Sequence, residues 1–278
     1  MSVQLRSTSP VDLPFAAAYQ KAGGPDLASE YGFAGMLAHH PPPAHRGGDA
    51  VSAWLPGDEP AAWLRALTEW QRDGVGFRLL LAERHHAPSR EAHALFTGRH
   101  LGLPLHFLAR VQVHRERLLE PERWREPRAW LREPLLNRLP LAVWMMGPVL
   151  DVRLLESRTD HSRTVLVLLR HKQPQRLSAL ELSVSTELRH GGEPAVFDRF
   201  ECTGTDGFLR VNGIWENHIH LPRLELHRGA VEMVQRDLPR EFSSVYEHAA
   251  RAGIGSKKQS AESYRLAADY LTTCALLI

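Results

Sequence analysis

Cysteine is almost absent: the 278 residues hold two, Cys202 and Cys274. Far apart and unaccompanied, they form neither a zinc knuckle nor a disulfide framework. They read as buried thiols. Long apolar runs are missing too, since none approaches the roughly 18 residues needed to span a membrane. Met1 to Pro10 is polar and lacks the apolar core of a signal peptide. A cytoplasmic protein is the expectation. Net charge is nearly nil, with 34 Lys+Arg against 32 Asp+Glu giving +2. No clustered basic face points to nucleic acid. What is present is ordinary for a globular chain: 43% hydrophobic and 24% charged residues, which excludes bulk disorder. The length suits two compact domains. Sixteen histidines are the one unusual abundance, and part of that population could charge below neutral pH.

Strand and helix patterns alternate through the first hundred residues. Val3-Gln4-Leu5 reads as a short strand and Pro14 to Ala22 as a helix, with Phe15, Ala18 and Tyr19 on one face. Phe33 to Ala38 and Asp49 to Leu55 are strands. Asp58 can cap the next helix, with Pro60 in its first turn and Trp63, Leu64, Leu67 and Trp70 as its apolar face. Gly74 ends that helix, and Phe77 to Ala82 is the following strand. Such alternation implies βαβ units and a parallel sheet. Ser89 to His100 is a helix capped by Ser89, Leu105 to Val111 a strand, and Trp124 to Gly147 mostly helix, interrupted at Pro134 and Pro140.

Beyond this point the pattern changes. Thr164–Leu169, Ala179–Ser185, Arg199–Thr203 and Phe208–Asn212 are strands with little helix between them. Asp206-Gly207 is a strong hairpin signal. An antiparallel sheet follows, closed by helices over Phe242–Arg251 and Ser260–Leu277. The expected fold is α/β: a truncated Rossmann-like domain over residues 1–110, then an α+β domain over 111–278 with a large antiparallel sheet.

Several of these segments together resemble a known family. Asp49-Ala50-Val51 through Pro56, a helix, and then Phe77-Arg78-Leu79-Leu80-Leu81-Ala82-Glu83-Arg84-His85 resemble the Gfo/Idh/MocA oxidoreductases. There an Asp-Ala-Val strand ending in Pro is followed by a strand ending in Glu-Lys-Pro. Ser89-Arg90-Glu91-Ala92 with Leu95 is similar to the next helix, and Phe200 to Gly207 to a hairpin of the C-terminal sheet. The branch most resembled is the thiazolinyl imine reductases of siderophore assembly lines, in which histidine replaces that lysine. Phe33 to Ala38 resembles the second strand of that branch. The resemblance implies NADPH-dependent reduction of a cyclic imine on a carrier-bound peptide, a Rossmann domain, and a sheet whose face forms the substrate pocket. It also implies self-association through the open face of that sheet.

The chain departs from this pattern where the cofactor would bind. A dinucleotide fold needs glycines after its first strand, so that backbone N–H groups reach the pyrophosphate at a helix N-terminus. The matching segment, Ser7-Thr8-Ser9-Pro10-Val11-Asp12-Leu13-Pro14, has no glycine. Its two prolines lack N–H groups, and Asp12 would repel phosphate. Between Ala38 and Asp49 a helix and a strand are replaced by a Pro- and His-rich link. Glu83-Arg84-His85 stands where the lysine is expected. Arginine stays charged and is a poor acid, although Arg84 could stabilise an oxyanion. His85 and His86 are acid–base candidates beside it. The Asp and His of the second-domain helix are missing from Asn137 to Trp144, and a branch tyrosine is missing near Gln112, leaving His114 as the replacement candidate.

Rival constellations are weaker. His39, His40 and His45 lie in the Pro-rich link, and His218 and His220 would share one strand face. No zinc motif accompanies them, and no metal is expected. No Gly-x-Ser-x-Gly surrounds a serine, so a hydrolase triad is not expected. Trp54, Trp63, Trp70, Trp144 and Tyr246 read as core. Trp124, Trp130 and Trp215 either line an aromatic pocket or pack at a boundary. The Arg/Glu-rich segment 116–132 reads as a solvated helix or a docking face.

The expectation is therefore a redox-inactive relative of the thiazolinyl imine reductases in peptide natural-product biosynthesis. It is either a cofactor-independent catalyst using Arg84, His85, His86 or His114, or a non-catalytic subunit. Expected partners are a peptide or small-molecule intermediate, carrier-bound or free, a partner enzyme, and a second copy of the chain. Nucleic acid, membrane and cofactor are not expected. The alternative is a working NADPH-dependent imine reductase.

Overall fold

The structure is a computed structural model, and it describes residues 32–33, 50–52, 60–79, 87–118, 121–125, 131–212, 223–229, 232–237 and 257–277. The expected elements at Val3, Pro14 and Phe242 lie outside these residues. In chain order the first elements are β1 (Gly32–Phe33), β2 (Ala50–Ser52), α1 (Pro60–Arg72), β3 (Phe77–Leu79), α2 (Ala87–Thr97) and β4 (Pro104–His114). Next come α3 (Arg132–Met146), β5 (Val149–Arg158), β6 (Ser162–His171), β7 (Leu177–Ser185), β8 (Arg189–His190) and β9 (Glu193–Pro194). The chain closes with β10 (Val196–Gly204), β11 (Gly207–Asn212), β12 (Arg223–Arg228), β13 (Glu232–Asp237) and α4 (Lys257–Leu277).

The chain divides into two compact units, residues 1–86 with 241–276, and residues 87–240. In the first, β1, β2 and β3 form a parallel sheet in that order. Of the apolar face read for α1, Trp63, Leu67 and Trp70 are all under 5% exposed, and Leu64 is half-buried. Trp63 meets Trp70 edge-on, and Trp70 leads on to Phe77 and Tyr264. Gly74 sits at φ 73, a left-handed conformation that favours glycine, and Val75 N–H then reaches back to the Trp70 carbonyl at 2.9 Å. The closing helix α4 belongs here and not with residues 111–240. Tyr264 donates to the Val75 carbonyl at 2.8 Å, and Phe77 N–H donates to Ser260 Oγ at 2.8 Å.

The second unit is built on an eight-stranded sheet in the order β13-β12-β11-β10-β4-β7-β6-β5. All its pairings are antiparallel except β4 with β7, which is parallel. The expected strand at Leu105 is thus the middle of this sheet and not the end of the first domain. Its inward residues Phe107, Ala109 and Val111 meet Ser178, Leu180 and Leu182 on one side and Cys202, Phe200 and Asp198 on the other. Burial of this shared face fixes its place. The Asp-Gly hairpin joins β10 to β11 as expected, through Thr205-Asp206. Gly204 is required there, because a Cβ would stand 2.1 Å from the Leu101 carbonyl oxygen.

Two helix expectations change. Helix α2 begins at Ala87, so Ser89 lies inside its first turn and not at its cap. Helix α3 runs through Pro140 without interruption. A mid-helix proline costs about 3 kcal/mol. Around it Leu139, Leu141, Ala142, Val143, Met145 and Met146 are all buried, and their packing carries the helix past the missing hydrogen bond. Among the described residues, no helix is long and apolar enough to cross a membrane.

Candidate functional site

The alternation of strand residues gives the large sheet two unlike faces. One lies beneath α3 and holds Val165, Val167, Leu180, Leu182, Val184, Phe200 and Cys202, each 1% exposed or less. Burial and the neighbouring Glu201 push the Cys202 thiol well above its ordinary pKa. Cys202 and Cys274 are both buried thiols outside any disulfide, as their sequence context leads one to expect.

Buried polar side chains interrupt this apolar face. Arg138 of α3 donates from Nε to Asp198 Oδ1 of β10 at 2.9 Å, and a second contact joins its Nη2 to Oδ2. Both side chains are fully enclosed, so the pair pins α3 to the sheet. Arg163 stands directly opposite Arg158 across β5 and β6. Burial, and then that neighbouring guanidinium, lower the Arg163 pKa. His171 is buried between Gly147 and Ser178, 2.7 Å from each acceptor or donor atom.

His114 ends β4 with 1% exposure. Its Nδ1 accepts from Glu116 N–H at 3.2 Å, and its Nε2 donates to the Thr186 carbonyl at 2.9 Å. Both ring nitrogens are therefore held by backbone, fixing the turn Arg115–Arg117 that follows. Arg84, His85 and His86 lie outside the described residues, as do His39, His40, His45, His218, His220, Trp54, Trp130, Trp215 and Tyr246. Trp124 is buried, with the Arg125 guanidinium 5.3 Å from its ring centre. Among the described residues, no group of three His, Cys, Asp or Glu side chains could hold a metal.

The opposite face is open and mixed. Arg110 donates to Glu181 at 2.7 Å, and Arg210 to Glu201 at 2.8 Å. Phe208 stacks on His227 at 4.3 Å between ring centres. Towards the β5 edge leucines are interspersed with charges, Arg153 standing opposite Leu168 and Asp151 opposite Arg170. Leu155 pairs with Leu166, and Leu168, Ala179 and Leu108 form one cross-strand row. Leu108, Leu155, Leu168 and Leu177 are 36–59% exposed.

Sequence reasoning missed three features. The arginine within Leu135-Leu136-Asn137-Arg138-Leu139 was a legible signal, since a charge in an apolar helical run needs a buried partner. The stack of His93 on Trp144, 3.9 Å apart, joins α2 to α3 and had no local signal. Nor did the open-face leucines, which come from four separate strands.

No family model and no curated protein matches the sequence. Solved structures do resemble the fold. An NAD binding oxidoreductase from Klebsiella pneumoniae is 14% identical with a TM-score of 0.60, covering 97% of this chain and 75% of the other. A dehydrogenase from Chromobacterium violaceum is 12% identical with a TM-score of 0.59, covering 97% and 72%. An oxidoreductase from Agrobacterium radiobacter, in complex with NAD+, L-tartaric acid and magnesium, is 16% identical with a TM-score of 0.51, covering 83% and 76%. At these identities the likeness is one of fold: a mixed α/β chain with a large, mostly antiparallel sheet, shared with Rossmann-like oxidoreductases.

Proposed function

We propose that this chain is a redox-inactive relative of the Gfo/Idh/MocA oxidoreductases, of the thiazolinyl imine reductase type, that binds a substrate or partner in peptide natural-product assembly. The observation that carries this reading is His114. A general acid–base group must present a nitrogen to its substrate. Both nitrogens of His114 are spent on backbone groups. His114 is thereby taken out of the catalytic role, which leaves Arg84, His85 and His86 as its candidates beside the non-catalytic role. The donor set for a dinucleotide does not fit either: the Ser7–Pro14 segment offers no glycine, two prolines and an acidic residue where pyrophosphate requires N–H groups.

A second copy of the chain is the first partner to test. The open-face leucines supply an apolar patch, and the adjoining ion pairs supply a polar rim. Substituting Leu168→Glu should shift sedimentation towards monomer while leaving the circular dichroism unchanged. An unaltered assembly state would remove this surface from the proposal.

The competing reading is an NADPH-dependent imine reductase. It is favoured by the NAD+ in the Agrobacterium radiobacter oxidoreductase, whose fold the chain shares. Calorimetric titration of the purified protein with NADPH, NADH and their oxidised forms separates the two. Absence of heat at millimolar cofactor is the expected result. Micromolar binding of any of the four would overturn redox inactivity and restore the reductase.

A further inference from the structure

The turn between β6 and β7 grips the end of α3 at three successive carbonyl groups. Arg176 Nη1 donates to the Met146 carbonyl at 3.0 Å. His171 Nδ1 donates to that of Gly147 at 2.7 Å, and Lys172 N–H to that of Pro148 at 2.9 Å. Gly147 itself sits at φ 87, where only glycine is comfortable, so the chain leaves the helix abruptly and turns its carbonyls towards this hairpin. The middle contact is the one that can titrate.

The bonding of His171 fixes its protonation state. A carbonyl only accepts, so in the neutral ring Nδ1 carries the hydrogen and Nε2 is bare. Ser178 then donates its hydroxyl hydrogen to Nε2, 2.7 Å away. Adding a proton turns Nε2 into a donor, and the hydroxyl hydrogen must swing elsewhere. Ser178 is 3% exposed, and no other hydrogen bond of this hydroxyl exists among the described residues. A buried donor would be left unmade, which is the costly case.

The charges nearby add to the conflict. Arg176 and Lys172 share the turn, and Arg99, at the end of α2, acts in turn on Arg176. The ring's own partners are the Ser178 hydroxyl and the carbonyls of Gly147 and Pro148, just past α3. Those carbonyls favour the cation, but burial, the largest influence, and the Arg176 guanidinium hold the His171 pKa below its ordinary value.

We infer that the β6–β7 turn is an acid-released latch: it holds the C-terminal end of α3 while His171 is neutral and loosens when His171 is protonated. The sign follows from linkage. The opened form binds its proton near the ordinary histidine value, about 6.5, and the latched form only below it. Latching is therefore complete above that value and is lost as pH falls through it towards the lowered one.

Hydrogen exchange read by mass spectrometry tests it on the whole chain, at about pH 7.5 and about pH 5, either side of the ordinary histidine value. After correction for intrinsic rates, peptides covering residues 141–148 and 171–176 should exchange about tenfold faster in acid, the factor expected for one lost hydrogen bond. Strands β4 and β10 should keep their protection. The His171→Gln variant, which cannot titrate, should show no such difference. Equal protection at both pH values in the wild type, or the same acceleration in the variant, would overturn the latch. Should the variant not fold, nitrogen NMR of the wild-type imidazole serves instead. Loss of the Nδ1–H tautomer with the α3 amides unchanged would be equally fatal.

Discussion

The two faces of the eight-stranded sheet use the same kinds of side chain to opposite effect. Beneath α3, Arg138 and Asp198 form an ion pair with no solvent around it. On the open face, Arg110 and Glu181 form one with 36% and 25% of their side chains exposed. Leucines divide likewise: Leu182 is fully enclosed, whereas Leu155 is 59% exposed. Burial and not residue type decides what each contact is worth. An enclosed charge cannot fall back on water when its partner goes, while an exposed one can.

Breaking the buried pair should be the largest perturbation. Asp198→Ala leaves the Arg138 guanidinium enclosed and without this carboxylate, and should cost about 3–5 kcal/mol in urea unfolding. Replacing both partners, Arg138→Met with Asp198→Leu, should recover most of that loss, since an apolar pair of similar volume has no charge to desolvate. A double variant as unstable as the single one would mean that the pair contributes more than charge compensation.

The leucines come next. Leu182→Ala should cost about 2–5 kcal/mol, through lost burial and the cavity left behind. Leu155→Ala should stay within about 0.5 kcal/mol for the isolated chain. Equal losses in a monomeric preparation would contradict the assignment of Leu155 to the open face. Gly204→Ala lies between these extremes. The added methyl would press on the Leu101 carbonyl, and the turn must shift, at about 1–3 kcal/mol by the usual scale of overpacking.

Much of this fold is legible because its signals are local. Helix α1 carries its apolar stripe and its Gly74 stop in one stretch, and the Asp206-Gly207 hairpin announces itself. Strands β6, β7, β10 and β11 alternate cleanly because one face of each is covered. Strand β5 escapes notice because it lies at the sheet edge, where Asp151, Arg153, Glu156 and Arg158 blur the alternation. Strand β12 alternates Leu224 and Leu226 with Arg223, Glu225 and His227, and was readable in principle. Pro140 misleads because helix packing outweighs local propensity. The site is harder to read than the fold. His114 looks like a free acid–base group in sequence, and only the fold brings Thr186, 72 positions away, to its ring. The Arg138–Asp198 pair spans 60 positions, beyond any local pattern.

The smallest expected effect sharpens the contrast most, because it asks whether the open face is stabilised by its charges at all. Arg110 and Glu181 are directly opposite across the parallel pair β4 and β7, so the contact needs little further ordering. Yet the chain gains little from it, because water already solvates a good part of both groups. Glu181→Gln removes the charge but keeps the shape and an acceptor oxygen. It should cost less than about 1 kcal/mol at low salt, and less again at about 1 M salt, where the screening length falls to about 3 Å. A loss that persists undiminished in high salt would show that Glu181 is held by more than its charge. The open face would then be as specific in its packing as the face beneath α3.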